Sequence, residues 1–321
     1  MSSATNTIPT IFDEHKIPYT ILGKTAGKTE EKISVIVLNR GARYYLASLF
    51  QNLISMGFNS IVFVENSKRN FELETLSVQF PEVKFIVPYG DVSTGEMINL
   101  GMSEVFSDYA LVIWNDMVLS SSYGFENLIN KLAGENSMCA APLLIDANNN
   151  TLNVQMVPAL INAGFSTEQF LCRHDFTKTI YMFDFVGIYN RLKFIDSGGF
   201  DYTIKNPYWQ NLDFGFRTYL WGNEMVILNM LKMKYAGNFP VENISADSSY
   251  MTFYLKNLAP VLGKDGMYLP GKRFFHYARK SGVNIFKAYK YFKQVSGWVS
   301  INRYKFTLSP AELISNWEPL L

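Results

Sequence analysis

The chain has 321 residues, 48% hydrophobic and 18% charged, with a net charge of +1. That is enough to bury a large core, and the near-neutral balance argues against wholesale nucleic-acid binding. No apolar run approaches the roughly 18 residues that a bilayer span needs, and the opening MSSATNTIPTIFDEHK lacks the basic and then apolar pattern of a secretory signal.

Residues 1–32 are polar and read as an irregular lead-in. A rhythm then begins with ISVIVL (33–38), a β-branched run suited to a strand buried on both faces. The spacing of Leu46, Leu49, Leu53 and Ile54 predicts a helix over 42–57, stopped by Gly57. Strands follow at 60–66, 83–88 and 109–114, with helices at 71–80 and 95–106 between them. Such alternation implies βαβ crossovers and a parallel sheet, whose ligand crevice lies at the carboxyl ends of the strands. Beyond about residue 135 the rhythm breaks, with a strand expected over 181–190 and a helix over 212–221. The Gly/Pro-punctuated stretch 258–273 has the composition of a mobile lid. An amphipathic helix is expected over 284–295, with Ile285, Ala288, Tyr289 and Phe292 on its apolar face.

Within YALVIWNDMVL (109–119), Asp116 stands among apolar neighbours just past a strand end, where a carboxylate needs a partner. A cation is one partner; capping a helix that starts near Ser120–Ser122 is another. Cys139 and Cys172 form no CxxC pair or Cys/His cluster, which argues for a reducing, cytoplasmic setting and against structural zinc.

Several segments in order carry a resemblance: ISVIVLNR, VFVENS (62–67), GEMINLG (95–101), VIWNDMVL, GIYNRLKFIDSGGFD (187–201), QNLDFGFRTYLWGN (210–223) and FFHYARKS (274–281). Together they resemble the nucleotide-sugar transferases of the GT-A fold, especially glycosyltransferase family 2, over roughly residues 33–281. The resemblance implies an α/β, Rossmann-like fold with a mostly parallel central sheet. A nucleotide-binding half (33–135) and an acceptor half (136–281) would precede a basic helical extension (282–321). It implies transfer of a sugar from a nucleoside-diphosphate donor, UDP among the options, to a glycan or lipid-linked acceptor, assisted by Mn²⁺ or Mg²⁺. Asn39, Arg40, Glu65, Asn99, Asn115 and Asp116 would line the donor site. Asp116 would ligate the metal, with His276 completing its shell. Asp201, Trp209 and Gln210 would face the acceptor.

The sequence departs from that family twice. Trp114 and Asn115 replace two acids of the metal motif, and Gln210–Asn211 replace the usual Glu-Asp, so the inverting base is missing. The second stretch also resembles the Glu-Asn version of the retaining polypeptide N-acetylgalactosaminyltransferases. Asn211 and Asp213 are the catalytic candidates, yet helix geometry turns residue 213 about 200° from residue 211. Asp213 bound to Arg217 at i+4 is the structural alternative. For Glu65 the alternative is a pair with Lys68 or Arg69. A catalytically silent module that binds nucleotide or glycan is the alternative function.

Between Asp265 and Glu312 there is no acidic residue, while nine lysines and arginines fall in that window. Two readings are open. Lys272, Arg273 and Arg279 close over the diphosphate, or the segment lies on an anionic membrane surface, giving a cytoplasmic protein peripheral at the inner face.

Overall fold

A computed structural model describes residues 16–23, 32–41, 46–66, 73–119, 124–135, 137–161 and 164–317. Most of the lead-in, together with Lys68, Arg69 and Ser120–Ser122, lies outside the described residues. Within the lead-in, Tyr19–Gly23 forms an edge strand, β1, rather than irregular chain.

The nucleotide-binding half alternates as its pattern requires: β2 (Ile33–Leu38), α1 (Leu46–Ser55), β3 (Ile61–Val64), α2 (Leu73–Gln79), β4 (Val83–Pro88), α3 (Thr94–Glu104) and β5 (Tyr109–Trp114). β6 (Met117–Leu119) and α4 (Phe125–Glu135) follow. Strands β2, β3, β4 and β5 run parallel, and β1 pairs antiparallel with β4. The middle strands are covered on both faces, which explains their continuous apolar runs. α3 opens with a capping box between Ser93 and Glu96. Gly101 lets this helix press onto β2, since a Cβ there would come within 2.5 Å of Ile36 Cγ2.

The second half contributes β7 (Cys139–Ile145), a hairpin of β8 (Gln155–Ile161) with β9 (Gly164–Phe170), β10 (Thr177–Lys178), β11 (Gly187–Asn190), α5 (Arg191–Asp196), α6 (Pro207–Leu220) and β12 (Met225–Tyr235). The main sheet runs β1-β4-β3-β2-β5-β11-β7-β12-β10, and β11 is antiparallel to both neighbours. The expected strand over 181–190 is broken by a tight turn at Phe183–Phe185, whose Asp184 and Phe185 hold φ of 53° and 63°. Helix α6 starts earlier than expected, because Asn206 caps it and Pro207 occupies its first turn.

After α7 (Ser248–Phe253) and a π-turn at Tyr254–Leu258, the expected lid is a hairpin, β13 (Val261–Gly263) with β14 (Gly266–Tyr268). The Met267 amide donates to the Arg303 carbonyl, tying the hairpin to the end of α9. Then come α8 (Arg273–Lys280), α9 (Ile285–Ile301) and α10 (Pro310–Ser315). The buried seam of α9 is Ala288, Phe292, Val295, Trp298 and Val299, whereas Ile285 and Tyr289 face solvent. The early Ile285/Tyr289 stripe is the wrong one, because the long helix rotates its large aromatics Phe292 and Trp298 onto the core.

Candidate active site

The carboxyl ends of β2, β3 and β5 meet in one hydrogen-bonded array. Asn39 Nδ2 donates to both Glu65 oxygens at 2.8 and 2.9 Å, and Asn39 Oδ1 accepts from the Gly41 amide. The Asn66 amide also donates to Glu65. Asn115 Oδ1 accepts from the Arg40 amide at 3.1 Å. Four of the sequence-chosen donor-site residues therefore sit together where a parallel sheet binds ligands.

Arg40 reaches from this array into a second one. Its Nε lies 3.3 Å from Asp116 Oδ1, its Nη2 bonds Asp184, and its guanidinium stacks 4.0 Å over the Trp114 ring. Trp114 and Asp116 belong to the same segment, and the tryptophan ring supplies a stacking platform for the cation. The closest contacts to the two aspartates run through Nε and Nη2 rather than Nη1.

Asp184 belongs to this array and was not singled out in the sequence. Tyr235 Oη donates to its carboxylate at 2.8 Å, and Trp114 Nε1 donates to its carbonyl at 2.9 Å. Its left-handed turn is strained for a non-glycine residue and is held from several sides. Asn211 holds the same turn, its Nδ2 donating to the Met182 carbonyl at 2.6 Å. Burial pushes the Asp184 carboxyl up to about 6, against the lowering effects of Arg40 and Tyr235. Burial likewise raises Asp116, and Arg40 offsets only part of the rise. The visible signal was an aspartate inside the apolar YMFDFVGIY, the same oddity that singled out Asp116.

A further carboxylate, Glu242, follows β12. Tyr181 Oη donates to it at 2.6 Å, and burial, with a smaller push from Asp184, raises it to about 7. Its loop is fixed to the start of α6, where Asn206 bonds the Asn243 carbonyl and Trp209 Nε1 bonds the Ser245 carbonyl at 2.8 Å. Trp209, expected at the acceptor, is buried and anchors this loop.

The remaining sequence-chosen residues hold scaffold. Asn99 clamps the glycine turn through both bonds to the Phe200 backbone. Gln210 is buried, accepting from the Gly95 amide and donating to Ser93 and the Asp201 carbonyl. Gly95 exists for this approach, since a Cβ there would lie 2.6 Å from the Gln210 amide carbon. Asp213 is wholly buried and bonded by Arg217, Lys256 and Asn257. Lys256 also pairs with buried Asp201 at 2.7 Å. That saturation corrects Asp213 as a general base: its oxygens are occupied and no face of it meets solvent. Arg217 ties the same cluster to the Gly199 carbonyl.

Lys272 and Arg273 begin α8, where Arg273 bonds Tyr254 Oη at 3.4 Å. His276 is exposed on that helix, its ring 5.2 Å from Tyr254. Among the described residues no hydrogen bond or ion pair joins these three to Arg40 or Asp116. No group of three or more His, Cys, Asp or Glu side chains among the described residues could hold a metal ion. Two hard oxygen donors remain, and buried Asp116 Oδ1 accepts no hydrogen bond. This set fits Mg²⁺ or Mn²⁺ when phosphate oxygens complete the shell.

No known family signature matches the chain, and no curated protein matches it in sequence. Among solved structures it is similar to GalNAc-T7 with UDP, GalNAc and Mn²⁺, at 12% identity over 86% of this chain, with a TM-score of 0.57. The chain spans 58% of that protein's length. It is also similar to S. aureus TarS 1–349 in complex with UDP-GlcNAc, at 13% identity over 90% of this chain and 77% of that one, with a TM-score of 0.53. These likenesses establish the fold as GT-A, in agreement with the expectation from the ordered motifs.

Proposed function

We propose that the chain is a glycosyltransferase that moves a sugar from a nucleoside-diphosphate donor to a glycan or lipid-linked acceptor. The observation that carries this reading is Arg40, held between Asp116 and Asp184 beside the Asn39–Glu65 pair at the strand ends of a GT-A sheet. A uridine nucleotide is the favoured donor base, in line with the UDP and UDP-GlcNAc named for the two similar structures.

Glu65 is the carboxylate at this strand end that would accept a ring N–H of the base. The Nη1 edge of Arg40 is positioned to donate to the diphosphate. Asp116, with Asp184 beside it, would hold Mg²⁺ or Mn²⁺, and the bound cation would supply charge neutralisation for the leaving diphosphate. In the transfer, the bond between the anomeric carbon and the diphosphate oxygen breaks and the diphosphate leaves with the electron pair. The acceptor oxygen bonds that carbon and loses its proton. Glu242 is the group best matched to take the proton, since a base near pH 7 is both deprotonated and strong enough to act.

A second reading, binding without transfer, draws on Gln210 and Asn211, whose amides are engaged with backbone where the family carries acids. Titration with UDP and GDP sugars, with and without Mn²⁺, followed by a nucleotide-release assay separates the two. Release that Asp116→Asn abolishes supports the transferase; binding without release supports the silent module; no binding of any donor removes both. If Glu242 takes the proton, Glu242→Gln lowers kcat by about 10²- to 10⁴-fold with donor affinity unchanged. The wild-type rate then climbs with pH through a midpoint of about 7.

A further inference from the structure

Helices α8 and α9 present a face that the donor site does not use. Phe275, Phe286 and Ile301 are 75%, 81% and 83% exposed, with Ile285, Tyr289 and Tyr304 also open to solvent. They are not scattered. Half-buried Phe274 packs its ring 5.7 Å from both Phe275 and Tyr289, joining α8 to the first turns of α9. Opposite the buried seam, one stripe of α9 carries Phe286, Lys290, Lys293 and Ile301. The helix has 17 residues, about 25 Å at 1.5 Å per residue. Large apolar side chains thus stand at both ends of this stripe, with lysines between.

The charge on this face has one sign. Lys272, Arg279, Lys280, Lys287, Lys290 and Lys293 are exposed, and none makes an ion pair among the described residues. Lys293 Nζ lies 5.7 Å over the Tyr289 ring, so its stem covers aromatic surface while its charge stays outward. Single exposed apolar residues need no explanation, but a set of them sharing one face with cations that make no ion pair among the described residues does.

We propose that this face docks flat on an anionic lipid surface, with Phe275, Phe286, Tyr289 and Ile301 entering the headgroup boundary and the lysines meeting lipid phosphates. A helix with an outward apolar and basic stripe and no acidic residue has the composition of an interfacial anchor. A second copy of the chain is disfavoured as occupant, because self-pairing would set the same cations against each other. The proposal stands apart from the transferase reading, since none of these exposed apolar side chains touches the Arg40 array.

The test is sedimentation of the full chain with vesicles of phosphatidylglycerol and phosphatidylcholine, against vesicles of phosphatidylcholine alone, at several salt concentrations. The expected result is partition to the anionic vesicles that weakens with salt. Each basic residue removed, as in Lys290→Ala and Lys293→Ala, lowers partition on the order of fivefold. Phe286→Glu combined with Ile301→Glu lowers it at least tenfold. These positions are solvent-exposed, so melting temperature and nucleotide release from a soluble donor are expected to match wild type. Failure to bind anionic vesicles, or partition by the Phe286/Ile301 variant equal to wild type, overturns the proposal. So does a wild-type dimer that this variant turns into a monomer, which would assign the face to a second copy. Normal nucleotide release in a chain that ignores vesicles leaves the transferase reading intact.

Discussion

Two pairs of aspartates in this fold meet opposite fates. Asp201 and Asp213 share Lys256, Asp213 also pairs with Arg217, and all four side chains are wholly buried. Asp116 and Asp184 share the single guanidinium of Arg40, which remains partly open to solvent. The first cluster balances two negative charges with two positive ones; the second leaves one negative charge over. Around Asp201, burial favours the neutral acid, but Lys256 and the bonds from Thr203 outweigh it and hold the carboxyl below its ordinary range. At Asp184 burial wins. A balanced, saturated cluster is scaffold, whereas an imbalanced one with an open edge is ready to take a further charged group.

The largest effect falls on the saturated pair. Lys256→Met takes the cation from buried Asp201 and leaves buried Asp213 with Arg217 alone, and breaking a buried ion pair costs about 3–5 kcal/mol. Urea denaturation should show that loss. A variant less than about 1 kcal/mol weaker would mean the cluster is not the scaffold described here. Arg40→Met should invert the pattern. Its stability cost is the smaller of the two, because Arg40 keeps 22% of its side chain in solvent and burial already favours the neutral form of both carboxyls it pairs with, while donor affinity falls about 10- to 100-fold, the value of a charged hydrogen bond to phosphate. Isothermal titration with UDP reads this directly. Equal loss of stability in both variants would erase the distinction between scaffold and site.

That distinction also explains what the sequence made legible. Strands β3 and β5 could be read because burial on both faces writes an unbroken apolar run, and β2 and β4 because each breaks that run at one residue only, Ser34 and Lys84. Asn39, Arg40, Glu65, Asn115 and Asp116 were singled out through the ordered resemblance, and each follows a strand end in a parallel sheet. Asp213 was misjudged because spacing on one helix cannot show that Lys256 and Asn257, more than forty residues away, occupy its oxygens. Asp184 and Glu242 were missed for the complementary reason. One sits in a left-handed turn inside what reads as a strand, and the other in an irregular loop whose place is set by Asn206 and Trp209. Periodicity carries no information about either.

The smallest predicted effect is the most specific to the imbalanced pair. Asp184 has an ordinary value of 3.8 and stands at about 6 in the fold. Between those values the folded chain holds a proton that the unfolded chain has lost. The group's contribution to stability is therefore greatest below about pH 4 and declines as pH rises to about 6. Ligand binding is expected to follow the same direction. Below pH 6 the neutral acid no longer offsets Arg40, and the guanidinium offers more of its charge to a diphosphate. Titrated with UDP in EDTA, the wild type should bind several-fold more weakly as pH is raised from 5 to 7.5, with a midpoint of about 6. Asp184→Asn fixes the neutral state and should flatten the profile at the tighter end. Asp116→Asn removes the second carboxylate yet leaves Asp184 to titrate, so the step should persist, moved downward because Asp116 no longer pushes Asp184 up. A profile that stays flat in the wild type, or a step that survives Asp184→Asn, would show that Arg40 is not tuned by this aspartate.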